Sequence, residues 1–226
     1  MMIRQSAGKS YAYLAGVLLG DGCASPINGY LAFRLNTIDE DFAMATKAAI
    51  NDVSDRQVTI RKEVVKKSSK PNYALYCGDE SLVKHLLEMT AAKTRIPQLE
   101  TKEEKMALIV GLMDSEGFVA EKTQNKTGRA YYMGFKVCDP WIHEFIALLQ
   151  SVGIKIGKVS ACPPYREHYK VPTRFHIKMQ SWVDSGMRFS IKRKQDRVDS
   201  WATTEPYSQR SRFPRKLTSE TLRQAS

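Results

Sequence analysis

Residues 14–22 read LAGVLLGDG, an apolar stretch that ends in an aspartate set between two glycines. The apolar run over 13–19 predicts a buried helix. The carbonyl end of a helix carries partial negative charge, so an acid placed just past it is disfavoured. Something must offset that repulsion at Asp21.

The stretch has an echo at 108–117, LIVGLMDSEG, again an apolar helical run that closes on an acid and a glycine. Aligning Gly16 with Gly111 also aligns Gly20 with Ser115, Asp21 with Glu116 and Gly22 with Gly117. A diverged duplication accounts for this economically. Gly16 and Gly20 are four apart, as are Gly111 and Ser115, so each helix carries a strip of small residues on one face. Two such strips let backbones approach closely, which would bring Asp21 and Glu116 together.

The surroundings repeat as well. Gly22 is followed by a polar turn, SPING, and the strand YLAFRLNT; Gly117 is followed by FVAEK, a turn through Asn125 and Gly128, and YYMGFKV. Acidic helix starts follow, Asp39-Glu40-Asp41 and Asp139-Pro140, opening helices over 41–52 and 141–152. Next come the strand pairs QVTIRKEVVKK with NYALYCG, joined by SSKPN, and IGKVSACPP with TRFHIKMQ, joined by a longer insert at 165–171. Helices over 80–89 and 181–189 close the units. The expected fold is α+β: two pseudo-symmetric αββαββα units with antiparallel sheets, the motif helices packed at their interface. The units span 1–97 and 98–202, and 203–226 forms a basic tail. The connection AAKTRIPQLETKEEK is expected to be exposed.

Composition narrows the partners. The 226 residues include 35 Lys and Arg against 24 Asp and Glu, a net charge of +11, which favours a polyanion such as nucleic acid. With 42% hydrophobic residues the chain has ordinary globular composition. Cys23, Cys77, Cys138 and Cys162 form no C-x-x-C pair, and the four histidines lack ligand spacing, which argues against a zinc site or a disulfide framework. No apolar run is long enough to span a bilayer and the N-terminus lacks a signal-peptide layout, so the expectation is a soluble, intracellular protein without a membrane partner.

The motif pair resembles that of the LAGLIDADG homing endonucleases. LAGVLLGDG matches the family consensus through Leu14, Ala15, Gly16, Asp21 and Gly22, and VGLMDSEG through Gly111, Leu112, Asp114 and Gly117. Two motifs in one chain look like the monomeric, double-motif branch. The resemblance implies a site-specific enzyme that serves intron homing by making metal-dependent double-strand cuts with 3′ overhangs at a long, nearly palindromic DNA target. Asp21 and Glu116 would each serve one strand, and Gly20 and Ser115 would join them as metal ligands. Oxygen donors suit Mg²⁺, with Mn²⁺ able to substitute. The family also implies a lysine beside the reacting groups: Lys192 in SIKRKQDR, with Lys194 next, and Lys93 in AAKTRIP. Asp114 faces Leu19 across the duplication, lacks a symmetric partner, and reads as structural.

Basic and polar residues alternate along the expected strands, giving one wet, positive face per sheet. Arg34, Asn36, Arg61, Lys122, Lys136, Lys158, Arg174 and Lys178 are the candidate DNA contacts there, and Lys66 and Lys70 the phosphate contacts from the turn at 68–70 and its flank. The resemblance implies that the two sheets together form a DNA-binding saddle. Two other readings share the charge and the fold: a maturase acting on its own intron RNA, and a DNA-binding protein without activity. The retained acids favour the nuclease.

Overall fold

The computed structural model describes residues 2–27, 29–64, 70–124, 128–162 and 171–203. Lys66, Ser68 and Ser69 of the turn at 68–70, residues 165–170 of the insert at 165–171, and the tail from 204 lie outside them.

The first motif helix, α1 (Met2–Leu19), begins well before the apolar run and is entirely buried from Ala12 to Leu19. After Asp21 come β1 (Cys23–Ile27) and β2 (Tyr30–Thr37), then α2 (Glu40–Asn51), β3 (Thr59–Glu63), β4 (Asn72–Cys77) and α3 (Glu80–Met89). SPING is therefore not all turn: Ser25, Pro26 and Ile27 continue β1, paired with Ala32, Leu31 and Tyr30. Pro26 is tolerated because β1 is an edge strand, where a missing N–H removes no ladder bond.

The second unit repeats the order with α4 (Lys102–Ser115), β5 (Phe118–Gln124), β6 (Gly128–Val137), α5 (Ile142–Ser151), β7 (Ser160–Ala161), β8 (Thr173–Ile177) and α6 (Met179–Ser185). The two sheets share one antiparallel order, β1-β2-β4-β3 and β5-β6-β8-β7. β7 is much shorter than expected; Ile156 joins the sheet only through an isolated bridge to Ile177. A further helix, α7 (Lys192–Thr203), follows α6 and adds to the second unit an element beyond the expected αββαββα order.

One continuous core runs through both units. Leu14, Leu18, Phe33, Phe42 and Leu75 anchor the first, and Phe135, Trp141, Phe145, Phe175 and Trp182 anchor the second. The units meet where α1 crosses α4 at the small-residue strips. A Cβ on Gly16 would overlap the Leu108 carbonyl and lie 2.9 Å from the Leu112 nitrogen, and one on Gly111 would overlap the Tyr13 carbonyl. Only glycine permits that backbone contact.

The connection between units is more tightly held than its composition suggests. Ile96 and Pro97 are buried, and the Ile96 N–H donates to Glu144 of α5 at 2.7 Å. Thr101 then caps α4 in a capping box with Glu104, each side chain bonding the other residue's backbone N–H at 3.1 Å.

Candidate active site

The crossing of α1 and α4 carries Asp21 and Glu116 to one place. A Cβ on Gly20 would stand 3.2 Å from the Glu116 Cγ and 3.0 Å from the Ser115 Oγ, so the end of α1 lies directly against the end of α4. Burial raises both carboxyls above the ordinary range, and at Glu116 the negative charge of Asp21 raises it further. Lys194 and Lys93 act in the opposite sense on both acids.

Each helix end holds one of these lysines. Lys93 Nζ donates to the carbonyls of Gly20 at 3.1 Å and Gly22 at 2.9 Å. Lys194 Nζ donates to those of Met113 at 2.8 Å and Asp114 at 2.6 Å. The cations thus satisfy carbonyls that a helix leaves open at its C-terminus and oppose its dipole, the repulsion first noted at Asp21.

The two lysines arrive by different routes. Lys93 lies in a run of three non-glycine residues with left-handed backbone, Ala91, Ala92 and Lys93 at φ of 42°, 54° and 70°. Such strain is costly and clusters at functional sites. Lys194 comes from the first turn of α7 and is almost wholly buried, with its amine 5.8 Å from the centre of the Phe189 ring. Burial pushes its pKa down to about 8, against the attraction of Asp114.

Lys192, the other lysine expected here, pairs its ammonium with Asp196 at 2.7 Å on the exposed side of α7. Two positions along a helix turn a side chain by about 200°, so Lys194 faces α4 when Lys192 faces solvent. Of the residues expected beside the acids, Gly20 and Ser115 are adjacent to them, but Gly20 already accepts from Lys93 and the Ser115 hydroxyl donates back to the Gly111 carbonyl at 3.0 Å.

On the first sheet Arg34, Asn36 and Arg61 do share a face. With Thr59, Glu63 and Tyr76 they line a groove of about 600 Å³. The register sets Arg34 and Thr59 on either side of Tyr76, and Asn36 and Arg61 on either side of Ala74. On the second sheet Lys136 stands opposite Arg174, and the Arg174 guanidinium lies 5.5 Å from the centre of the Phe118 ring. His176 packs edge-on against Phe118 and Tyr132, an aromatic patch the basic pattern did not reveal. Burial, then Arg174 and Lys178, hold its pKa below the usual histidine value. Lys158, Lys178 and Lys70 are exposed, and Lys122 lies on β5 opposite Ala130, its side chain outside the described residues.

Two carboxylates at adjoining helix ends, each beside a helix-end lysine, suit a divalent cation. Among the described residues no cluster of three or more His, Cys, Asp or Glu forms a self-sufficient cage. The donor set therefore fits a hard metal ion that completes its shell with water and phosphate, such as Mg²⁺ or Mn²⁺, better than a structural metal.

No protein-family model matches the chain, and no curated protein does. Solved structures do. The LAGLIDADG homing endonuclease I-GzeII in complex with its DNA target superposes with a TM-score of 0.56 at 9% identity, covering 95% of this chain and 94% of that one. Mesophilic variants of the homing endonuclease I-DmoI give a TM-score of 0.55 at 16% identity over 80% of this chain and 90% of theirs. A nicked-DNA complex of an I-DmoI variant in the presence of Mn gives 0.52 at 16% identity, covering 80% of this chain and 96% of that one. The chain has the two-unit LAGLIDADG fold.

Proposed function

We propose that this chain is a site-specific DNA endonuclease of the homing type, acting on double-stranded DNA as a monomer. The observation that carries the reading is the convergence of Asp21 and Glu116 at adjoining helix ends, each end braced by a lysine. Two mutually repelling acids at adjoining helix ends are a poor structural choice and a good cation site. Bound there, Mg²⁺ or Mn²⁺ would activate a water and stabilise the leaving oxygen of a scissile phosphodiester.

The protein's own contribution is positional. Asp21 and Glu116 would hold the cations with Gly20 and Ser115 close by, one acid for each strand. Lys93 and Lys194 keep positive charge beside the negative charge that develops as the phosphodiester is attacked. The products would be staggered ends with 3′ overhangs at a long, nearly palindromic site.

Recognition falls to the two sheets, read as the halves of a saddle over the duplex. Arg34, Asn36 and Arg61 offer donors and acceptors suited to guanine and adenine edges in the major groove. Lys136 directly opposite Arg174 concentrates positive charge on the second sheet, suited to a phosphate backbone. Lys158, Lys178, Lys70 and Lys66 supply phosphate contacts and the salt sensitivity that goes with them. Among the described residues no feature of the site favours RNA over duplex DNA.

The test uses duplexes enriched from a random pool by binding to Glu116→Gln, then offered to the native chain with Mg²⁺. A staggered double-strand cut by the native chain, and at most a nick on one strand by Asp21→Asn or Glu116→Gln with binding retained, is the expected result. Full cutting by either variant would overturn the assignment.

A further inference from the structure

We propose that Asp114 is a positioning residue: it fixes the N-terminus of α7, places the Lys194 ammonium at the Glu116 end of the site, and so supports only one of the two cuts. The strand-selective consequence rests on the nuclease reading; the placement rests on geometry alone.

Asp114 is buried, yet its carboxylate faces another helix's start. It accepts from the Ser190 N–H at 3.1 Å and the Ile191 N–H at 3.5 Å, immediately before α7. A carboxylate at a helix N-terminus satisfies open N–H groups and complements the dipole, here from a different element. Tyr13 of α1 donates its hydroxyl to the same carboxylate at 3.2 Å and lies 3.4 Å from the Ser190 hydroxyl. The Asp114 backbone carbonyl is itself one of the two that Lys194 grips. One residue therefore touches both the start of α7 and the lysine that α7 delivers.

A second contact fixes the same turn from the other unit. Asp39 occupies the N-cap of α2 but makes no capping bond; its carboxylate instead takes Arg193 in a two-pronged pair at 2.6 and 2.7 Å. Asp41 accepts from the Lys192 N–H. Carboxylates from both units thus hold four consecutive residues at the start of α7, Asp114 taking Ser190 and Ile191, Asp41 taking Lys192 and Asp39 taking Arg193.

Among the described residues no carboxylate does the same for the other lysine, whose N–H donates to the Thr90 hydroxyl at 3.3 Å. The residue matching Asp114 in the first motif is Leu19, and Lys93 is set by its left-handed backbone run. The two halves share a site and differ in how they hold it, so they should fail separately.

The test compares the native chain with Asp114→Leu, Asp114→Asn and Ser190→Pro. Asparagine keeps an acceptor for the α7 N–H groups and leucine copies the first motif. Ser190→Pro removes one of those donors from the more exposed side, keeping the question answerable if the leucine variant does not fold. In the free proteins, brief acylation with acetic anhydride followed by mass spectrometry reads the shielding of Lys194. We expect it shielded in the native and asparagine chains, and labelled at least about tenfold faster in the other two, as local opening exposes it.

On a duplex the native chain cuts, Asp114→Leu and Ser190→Pro should slow nicking of one strand on the order of 100-fold while the other strand and the dissociation constant change little. Asp114→Asn should restore the rate. Lys194 staying shielded in both folded variants, or equal slowing of both strands, overturns the proposal. A native chain that cuts nothing, with the labelling contrast intact, removes the nuclease reading and leaves the positioning role standing.

Discussion

Lys194 is where charge and burial are most at odds, and its ionisation should be visible in stability. Its folded pKa of about 8 lies below the ordinary lysine value of 10.5. Between those values the unfolded chain holds a proton that the folded chain has released, so the contribution of this group to stability rises with pH across that window and is least below it. The shift corresponds to about 3 kcal/mol at most. Replacing Lys194 by methionine should flatten the difference in urea-derived stability between pH 8 and pH 10; an unchanged slope would mean the amine does not titrate there. Asp21 and Glu116 were legible in the sequence because the motif repeats at matched positions. Lys194 was not singled out over Lys192, because KRKQDR has no apolar period from which to set the rotation of its helix. Asp39 was read as a helix start, which it is, but its carboxylate is spent on a partner more than 150 residues away that local sequence does not reveal.

At the level of elements, the α1–α4 crossing is the least forgiving contact. Substituting alanine at Gly111 drives a methyl into the Tyr13 carbonyl, which no side-chain rotation can relieve. We expect Gly111→Ala to cost about 3 kcal/mol, read from the urea midpoint, because overpacking against backbone forces the helices apart. The strip of small residues announced this crossing, and β2 and α3 fall where alternation and the 3.6-residue period put them. Other boundaries obeyed rules of wider range. α1 extends back to Met2 through residues without the apolar density of 13–19, and α7 folds despite its charge because its few apolar residues, such as Val198, pack beneath it while Asp114 and Asp39 fix its start. β7 contracts to two residues, although IGKVSACPP alternates well enough for a full strand.

For the molecule as a whole, duplication supplies the plan and divergence the differences. The sheets repeat one strand order, yet the first presents a polar groove and the second an aromatic patch beside Lys136 and Arg174. The net charge of +11 forecast a polyanion partner without saying which face would meet it. The connection between units adds a separate point. Lys93 is tied to the end of α1 and Ile96 to α5, which leaves residues 98–100 as a short bridge whose ends are already fixed. Closing so short a gap between docked ends contributes little beyond loop entropy. Two polypeptides divided after Gln98 and co-expressed should therefore copurify one to one with a single cooperative unfolding transition, whereas either produced alone should aggregate through its uncovered motif helix. Separate elution of the two pieces would show that the bridge itself holds the units together. If they stay joined, the peptide bond after Gln98 governs stoichiometry rather than architecture, guaranteeing every first unit one second unit in a cell where free halves would have to find each other.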